Sequence, residues 1–142
     1  MARVEIKLPD EFTFSMDMEV RVADVNMGGH LGNERLLAML NEVQLKFLKS
    51  KGFHDLAFQG CPFINVDAAL VYKSEAYHED VVTFEVAAQD FHKYGCDIVF
   101  RATNRKSGHI VAIAKSGMLV FDYQKKKPME IPDEVRVKLI SK

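Results

Sequence analysis

Between residues 12 and 22 the chain alternates. Phe12, Phe14, Met16, Met18, Val20 and Val22 fall on one side, with Asp17, Glu19 and Arg21 on the other. A period of two predicts a strand with one buried face. From 33 to 51 the period changes. Leu36, Leu40, Val43 and Phe47 recur at helical spacing, and Leu37, Met39 and Leu48 widen the stripe. This predicts one long amphipathic helix, with Asn33 as its N-cap and Gly52 as its C-terminal stop. Everything beyond reads as strand. Segment 63–73 alternates through Ile64, Val66, Ala68, Leu70 and Tyr72, 81–89 through Val82, Phe84 and Val86, and 97–105 through Ile98, Phe100 and Ala102. Segment 109–123 is apolar on both faces, as a central strand is. Lys106-Ser107-Gly108 supplies a hairpin turn, and a short, loosely docked helix is expected after Pro132.

Lengths then suggest the architecture. A helix of ~19 residues is ~28 Å long, and strands of ~9–11 residues are ~30–35 Å long. A single helix as long as the strands suits a sheet wrapped along it, and short connections favour antiparallel pairing. The expectation is an α+β fold with five antiparallel strands around one helix. With no internal repeat, low-complexity tract or Pro/Ser-rich linker, residues 1–142 are expected to form one domain.

Charge and composition narrow the setting. A net charge of −1 lacks the basic excess expected of a nucleic-acid binder. No apolar run approaches the ~20 residues that span a bilayer, and "MARVEIKLPDEF" has no secretory apolar core. Cys61 and Cys96 make neither a disulfide framework nor a metal spacing, and the five histidines lack ligand spacing. The expectation is a cytoplasmic protein with no metal, no cofactor, no nucleic-acid partner and no membrane partner.

Between strand and helix lies the densest chemistry, Asp24-Val25-Asn26-Met27-Gly28-Gly29-His30-Leu31-Gly32-Asn33. No phosphate-binding glycine loop and no Gly-x-Ser-x-Gly elbow is present. The corner resembles the Asp-x-Asp-x-x-Gly-His-x-x-Asn signature of hotdog-fold thioesterases of the 4-hydroxybenzoyl-CoA thioesterase type. "NEVQLKFL" at Glu42, "VDAALVYKSEAYHEDVV" with Tyr72 and Asp80, and "SGHIVAIAKSGMLVFD" followed by "KKPMEIPDEVR" extend the resemblance, in order, over residues 14 to 140. It implies a hotdog fold, hydrolysis of an acyl-CoA or acyl-carrier-protein thioester without metal, and a homodimer or tetramer of dimers with shared sites. It also implies an oxyanion donor from backbone around Gly60 and Cys61.

One position departs from the signature. Where the resembling enzymes carry their catalytic carboxylate, this chain has Asn26, which can neither attack as an anion nor accept a proton. Asn26 is read as orienting water or thioester, with His30 beside it. The carboxylate is then sought at Asp24 or Glu42, Glu42 being favoured because a wrapped helix is expected to bury it. Gly29 and Asn33 at the helix start, with Gly60 and Cys61, complete the expected substrate-binding set. Each has a plainer reading: Asp24 as an Asx-turn residue, Asn33 as a cap, His30 as a corner residue bonded to backbone, Glu42 as a solvated flank. Residues 91–95, "FHKYG", with Arg101, Arg105 and Lys106, are candidates for the phosphates of the carrier. Two other functions stay open: an acyl-CoA binder without catalysis, favoured by Asn26, and an enoyl-CoA hydratase of related fold.

Overall fold

The computed structural model describes residues 3–142. The chain runs through β1 (Phe14–Glu19), a 3-10 turn at Val22–Asp24 and α1 (Asn33–Ser50). Then come β2 (Ala57–Phe58), β3 (Cys61–Tyr72), β4 (Val81–Gln89), β5 (Gly95–Asn104), β6 (Ile110–Asp122), β7 (Lys127–Pro128) and α2 (Asp133–Ile140). All pairs are antiparallel, in the order β1-β4-β5-β6-β3-β2, with β7 added beside β6. The curled sheet around one long helix is the hotdog arrangement. The five expected strands are the five long ones; β2 and β7 are two-residue additions too short to leave a period in the sequence.

Core formation follows from the two periodicities. Val82, Phe84 and Val86 of β4, Ile98 and Phe100 of β5, and Met118 and Val120 of β6 are buried together with Leu36, Leu40, Val43 and Phe47 of α1. Burying those four helix side chains contributes on the order of 6–10 kcal/mol before chain entropy. At its C-terminus α1 closes with two reversed hydrogen bonds, Gly52 N–H to the Lys49 carbonyl and Phe53 N–H to that of Leu48. Gly52 sits at φ +96°, which a side chain would resist. The Lys51 ammonium reaches back to the carbonyls of Thr13 and Ser141.

Three expectations need correcting here. The first strand stops at Glu19, because Val22–Asp24 coils into the corner. The N-cap of α1 is Gly32, whose carbonyl accepts from Arg35 and Leu36, so Asn33 is the first helical residue. The C-terminal helix is firmly docked: Val135 and Leu139 are both buried in the main core.

Strand β3 lies near one side of the sheet, and β2 pairs only with its first two residues. A bulge between Asn65 and Asp67 breaks its register with β6 and throws Val66 outward. Asp67 secures the bulge: its Oδ1 accepts from Gly117 N–H and from Lys115 Nζ, both at 2.9 Å.

Candidate active site

The corner is tied down by backbone first. Asn26 N–H donates to the His30 carbonyl (2.9 Å), Gly32 N–H to that of Asp24 (3.0 Å) and Leu31 N–H to that of Ala76 (2.7 Å). His30 also bridges Tyr77 in antiparallel fashion. The corner is thus bound to the connection between β3 and β4. Gly29, at φ +84°, supplies the left-handed step of the turn. Asn26, not Asp24, makes the Asx turn, its Oδ1 accepting from Gly28 N–H at 3.0 Å.

Asn26, His30, Leu31, Asn33, Glu34 and Leu36 form one side of a cleft of about 500 Å³. Tyr72 to Ala76 and Val111 form the other. Within the first side the Asn26 amide nitrogen lies 3.5 Å from His30 Nδ1. His30 Nε2 lies 3.5 Å from Glu75 Oε1, while the Tyr77 hydroxyl donates to Glu75 Oε2 at 2.8 Å. That hydrogen bond and the Glu75 charge raise the Tyr77 pKa above its ordinary value. No side-chain hydrogen bond caps the first turn of α1, whose residues Asn33 and Glu34 line the cleft, with the Glu34 carboxylate folded back beside Gly32.

The carboxylates expected here lie elsewhere. Asp24, 3% exposed, and Glu42 line a different cleft with Arg21, Arg35 and Met39. Asp24 is held by Arg21 through backbone and guanidinium. Burial alone would raise its pKa, but those hydrogen bonds, the Arg21 charge and the Arg35 charge outweigh burial and lower it. Glu42, expected to be buried, has a side chain 49% exposed and meets only Lys46, at 3.9 Å. The reason is rotational. Residue 42 and residue 44 flank Val43 on either side of the buried stripe, and the fold covers the residue 44 flank. Gln44, which the sequence did not single out, is 6% exposed and donates to Asn65 Oδ1 at 2.7 Å.

Gly60 and Cys61 stand at the far end of β3 from the cleft, about 36 Å of strand from Tyr72. Within one chain they do not meet Asn26. The proposed phosphate ligands are divided too. Arg105 and Lys106 follow the end of β5, while 91–95 lead into its start; Arg105 pairs with Asp17 (3.1 Å) and Arg101 with Glu85 (2.8 Å). Both cysteines are free thiols, and burial pushes Cys96 up to about 12. Glu75 and Tyr77 were missed because nothing in local sequence reveals a partner reached only through the corner's pairing with residues 76 and 77. Among the described residues no cluster of three His, Cys, Asp or Glu side chains is placed to hold a metal, and no helix is long and apolar enough to cross a membrane.

Comparisons with known proteins bear on this geometry. A 1,4-dihydroxy-2-naphthoyl-CoA thioesterase from Synechocystis superposes with a TM-score of 0.79 at 16% identity, over 89% of this chain and 94% of its own. A member of the thioesterase superfamily from Jannaschia gives 0.81 at 15%, over 92% and 83%. A Staphylococcus aureus protein solved in complex with CoA gives 0.79 at 14%, over 96% and 85%. At such identities these likenesses show the fold. No curated protein matches the sequence. The family model of the thioesterase-like superfamily matches residues 20–139, spanning the corner, the long helix and strands β2 to β7, and the chain belongs to that superfamily.

Proposed function

We propose that the protein hydrolyses an acyl thioester carried by coenzyme A, at the cleft between the corner and the β3–β4 connection. The observation that carries this reading is the placement of Asn26 and His30 together at the uncapped start of α1. Hydrolysis builds negative charge on the thioester oxygen, and free helix N–H groups with a positive dipole end stabilise such charge. Asn26 Nδ2 faces the same space and orients water or carbonyl. Membership of the thioesterase-like superfamily supports the chemistry. CoA as carrier is supported by the CoA complex of the Staphylococcus aureus protein and by the CoA thioesterase from Synechocystis.

The acyl group fits a second, more apolar cleft of about 290 Å³ further along α1 and β3, lined by Leu37, Leu40, Val66, Leu70, Phe100 and Ala114. A homodimer completes the arrangement. Residues 65 to 68 of β3 are exposed along the edge that β2 leaves open. An antiparallel two-fold pairing of these edges sets Gly60 and Cys61 of one copy beside the Tyr72 end of the other, where the cleft lies.

The test is free-thiol release from a panel of aliphatic and aromatic acyl-CoAs, run beside hydration of crotonyl-CoA. Thiol release supports the reading, and hydration without release replaces it with a hydratase. Tight acyl-CoA binding with neither reaction supports the second reading, a binder, which Asn26 itself favours.

A further inference from the structure

The proposed thioesterase lacks an assigned base, and the inference drawn here rests on that reading. We propose that His30 is the base that activates water, and that Glu75, braced by Tyr77, is the residue that positions it. The corner cleft receives charged or titratable side chains from every wall: His30 from the corner, Glu34 from α1, and Tyr72, Lys73 and Glu75 from the end of β3 and the segment after it, with Tyr77 bonded to Glu75. Imidazole is the group among these whose ordinary titration range suits proton transfer near neutral pH.

Four contacts fix the ring. Glu75 Oε1 faces Nε2 at 3.5 Å, and the edge of Tyr77 meets the imidazole with ring centroids 6.1 Å apart and planes at 85°. Gly28 lies so close beneath that a Cβ there would meet Nε2 at 2.9 Å. Asn26 Nδ2 faces Nδ1. A carboxylate 3.5 Å from Nε2 is placed to favour the proton on that nitrogen, which would leave the lone pair on Nδ1, facing Asn26. The 3.5 Å gap between Nδ1 and Nδ2 is long for a direct hydrogen bond, and both groups are in reach of one bridging water. Tyr77, by donating to Oε2, holds the carboxylate in place with Oε1 turned to His30.

The step balances as hydrolysis. Nδ1 takes a proton from water as its oxygen bonds to the thioester carbonyl carbon. As the C–S bond breaks, the same proton passes to the departing thiolate, giving an acid and a free thiol. Glu75 touches neither water nor thioester; it acts through the ring.

The experiment is steady-state thiol release by native protein, E75Q, E75D, H30Q, E34Q and the double variant E75Q/H30Q, with ring ¹⁵N spectra of His30 in native protein and E75L. E75Q is expected to lose ~10–100-fold in kcat with little change in KM, and E75D to recover part of it, within the range of general-base effects. The double variant should be no slower than H30Q alone. E34Q should lose less kcat than E75Q. In the spectra, native His30 should show one protonated and one unprotonated nitrogen, and the separation of the two signals should narrow in E75L. Native kcat in E75Q, loss in E34Q instead, or an unchanged separation in E75L overturns the proposal. If native protein releases no thiol from any acyl-CoA, the thioesterase reading falls and the base role falls with it. The spectra then still decide whether Glu75 holds the ring.

Discussion

Asp24 turns away from the cleft and closes on Arg21, its Oδ2 accepting from the Arg21 backbone N–H at 2.9 Å and from Nε at 3.2 Å. Asp24→Asn should therefore act on stability. Loss of charge-assisted hydrogen bonds to a buried group costs about 1.5–3 kcal/mol, read as a lower urea midpoint. The folded Asp24 is more acidic than the unfolded, so its contribution is fully present above the ordinary carboxylate pKa of about 3.9. The difference between native and variant should hold steady from neutral pH down to about pH 5 and shrink as pH falls through the lowered value. Thiol release per folded molecule should fall far less than the ~10²–10⁴-fold that removing a general base produces. Glu42→Gln, in the same separate cleft, should likewise leave turnover near native.

Asn26→Asp tests the position where the resembling enzymes carry an acid. The fold should tolerate it, because a carboxylate oxygen can still accept from Gly28 N–H. The amide donor facing His30 is lost, and removal of one such donor costs ~10²–10³-fold in kcat. A strong rise from a near-zero background would instead mark the native protein as a binder.

Leu40 is nearly fully buried against the sheet. Leu40→Asp places an unpaired charge there and should cost more than about 4 kcal/mol, beyond what most single domains tolerate. Expression entirely in the insoluble fraction is the expected outcome. A soluble, cooperatively melting variant would contradict the assignment of that helix face.

Val66 projects from the bulge at the open edge of β3. In the proposed homodimer Val66 lies at the two-fold edge, so Val66→Arg should leave the monomer fold intact and halve the mass measured by sedimentation, because each charge would meet its own copy. Thiol release should fall with dimerisation, since in the proposed homodimer Gly60 and Cys61 reach the cleft from the second copy. An active monomer would show that one chain suffices.

The fold was legible because its periods are strong. Leu36, Leu40, Val43 and Phe47 mark one stripe and face the sheet, and the long apolar run of 109–123 marked β6 as a central strand, which β5 and β3 flank. The site was legible only where it is local. Asn26 and His30 are four residues apart and share a turn, so the corner pattern announced them. Glu42 and Gln44 show the limit. They are near-symmetric about the buried stripe, and which flank is covered depends on how the sheet curls past α1, which helical spacing does not encode. Glu75 shows it again, since its tie to His30 exists only because residues 30 and 31 pair with 77 and 76.

The order of strands has a kinetic consequence. β4, β5 and β6 follow one another along the chain as neighbours, so their ladders form with little loop closure. β1 must find β4 from beyond the helix, Phe14 meeting Val86, and the corner must find the segment around Tyr77. Pairings between distant stretches are slow to nucleate, and local opening concentrates where few such contacts hold. Amide exchange should accordingly be faster at Asn26 and Leu31 than in the middle of β5. The proposed chemistry then stands on a stretch of chain whose anchoring partners must be found from far along the sequence.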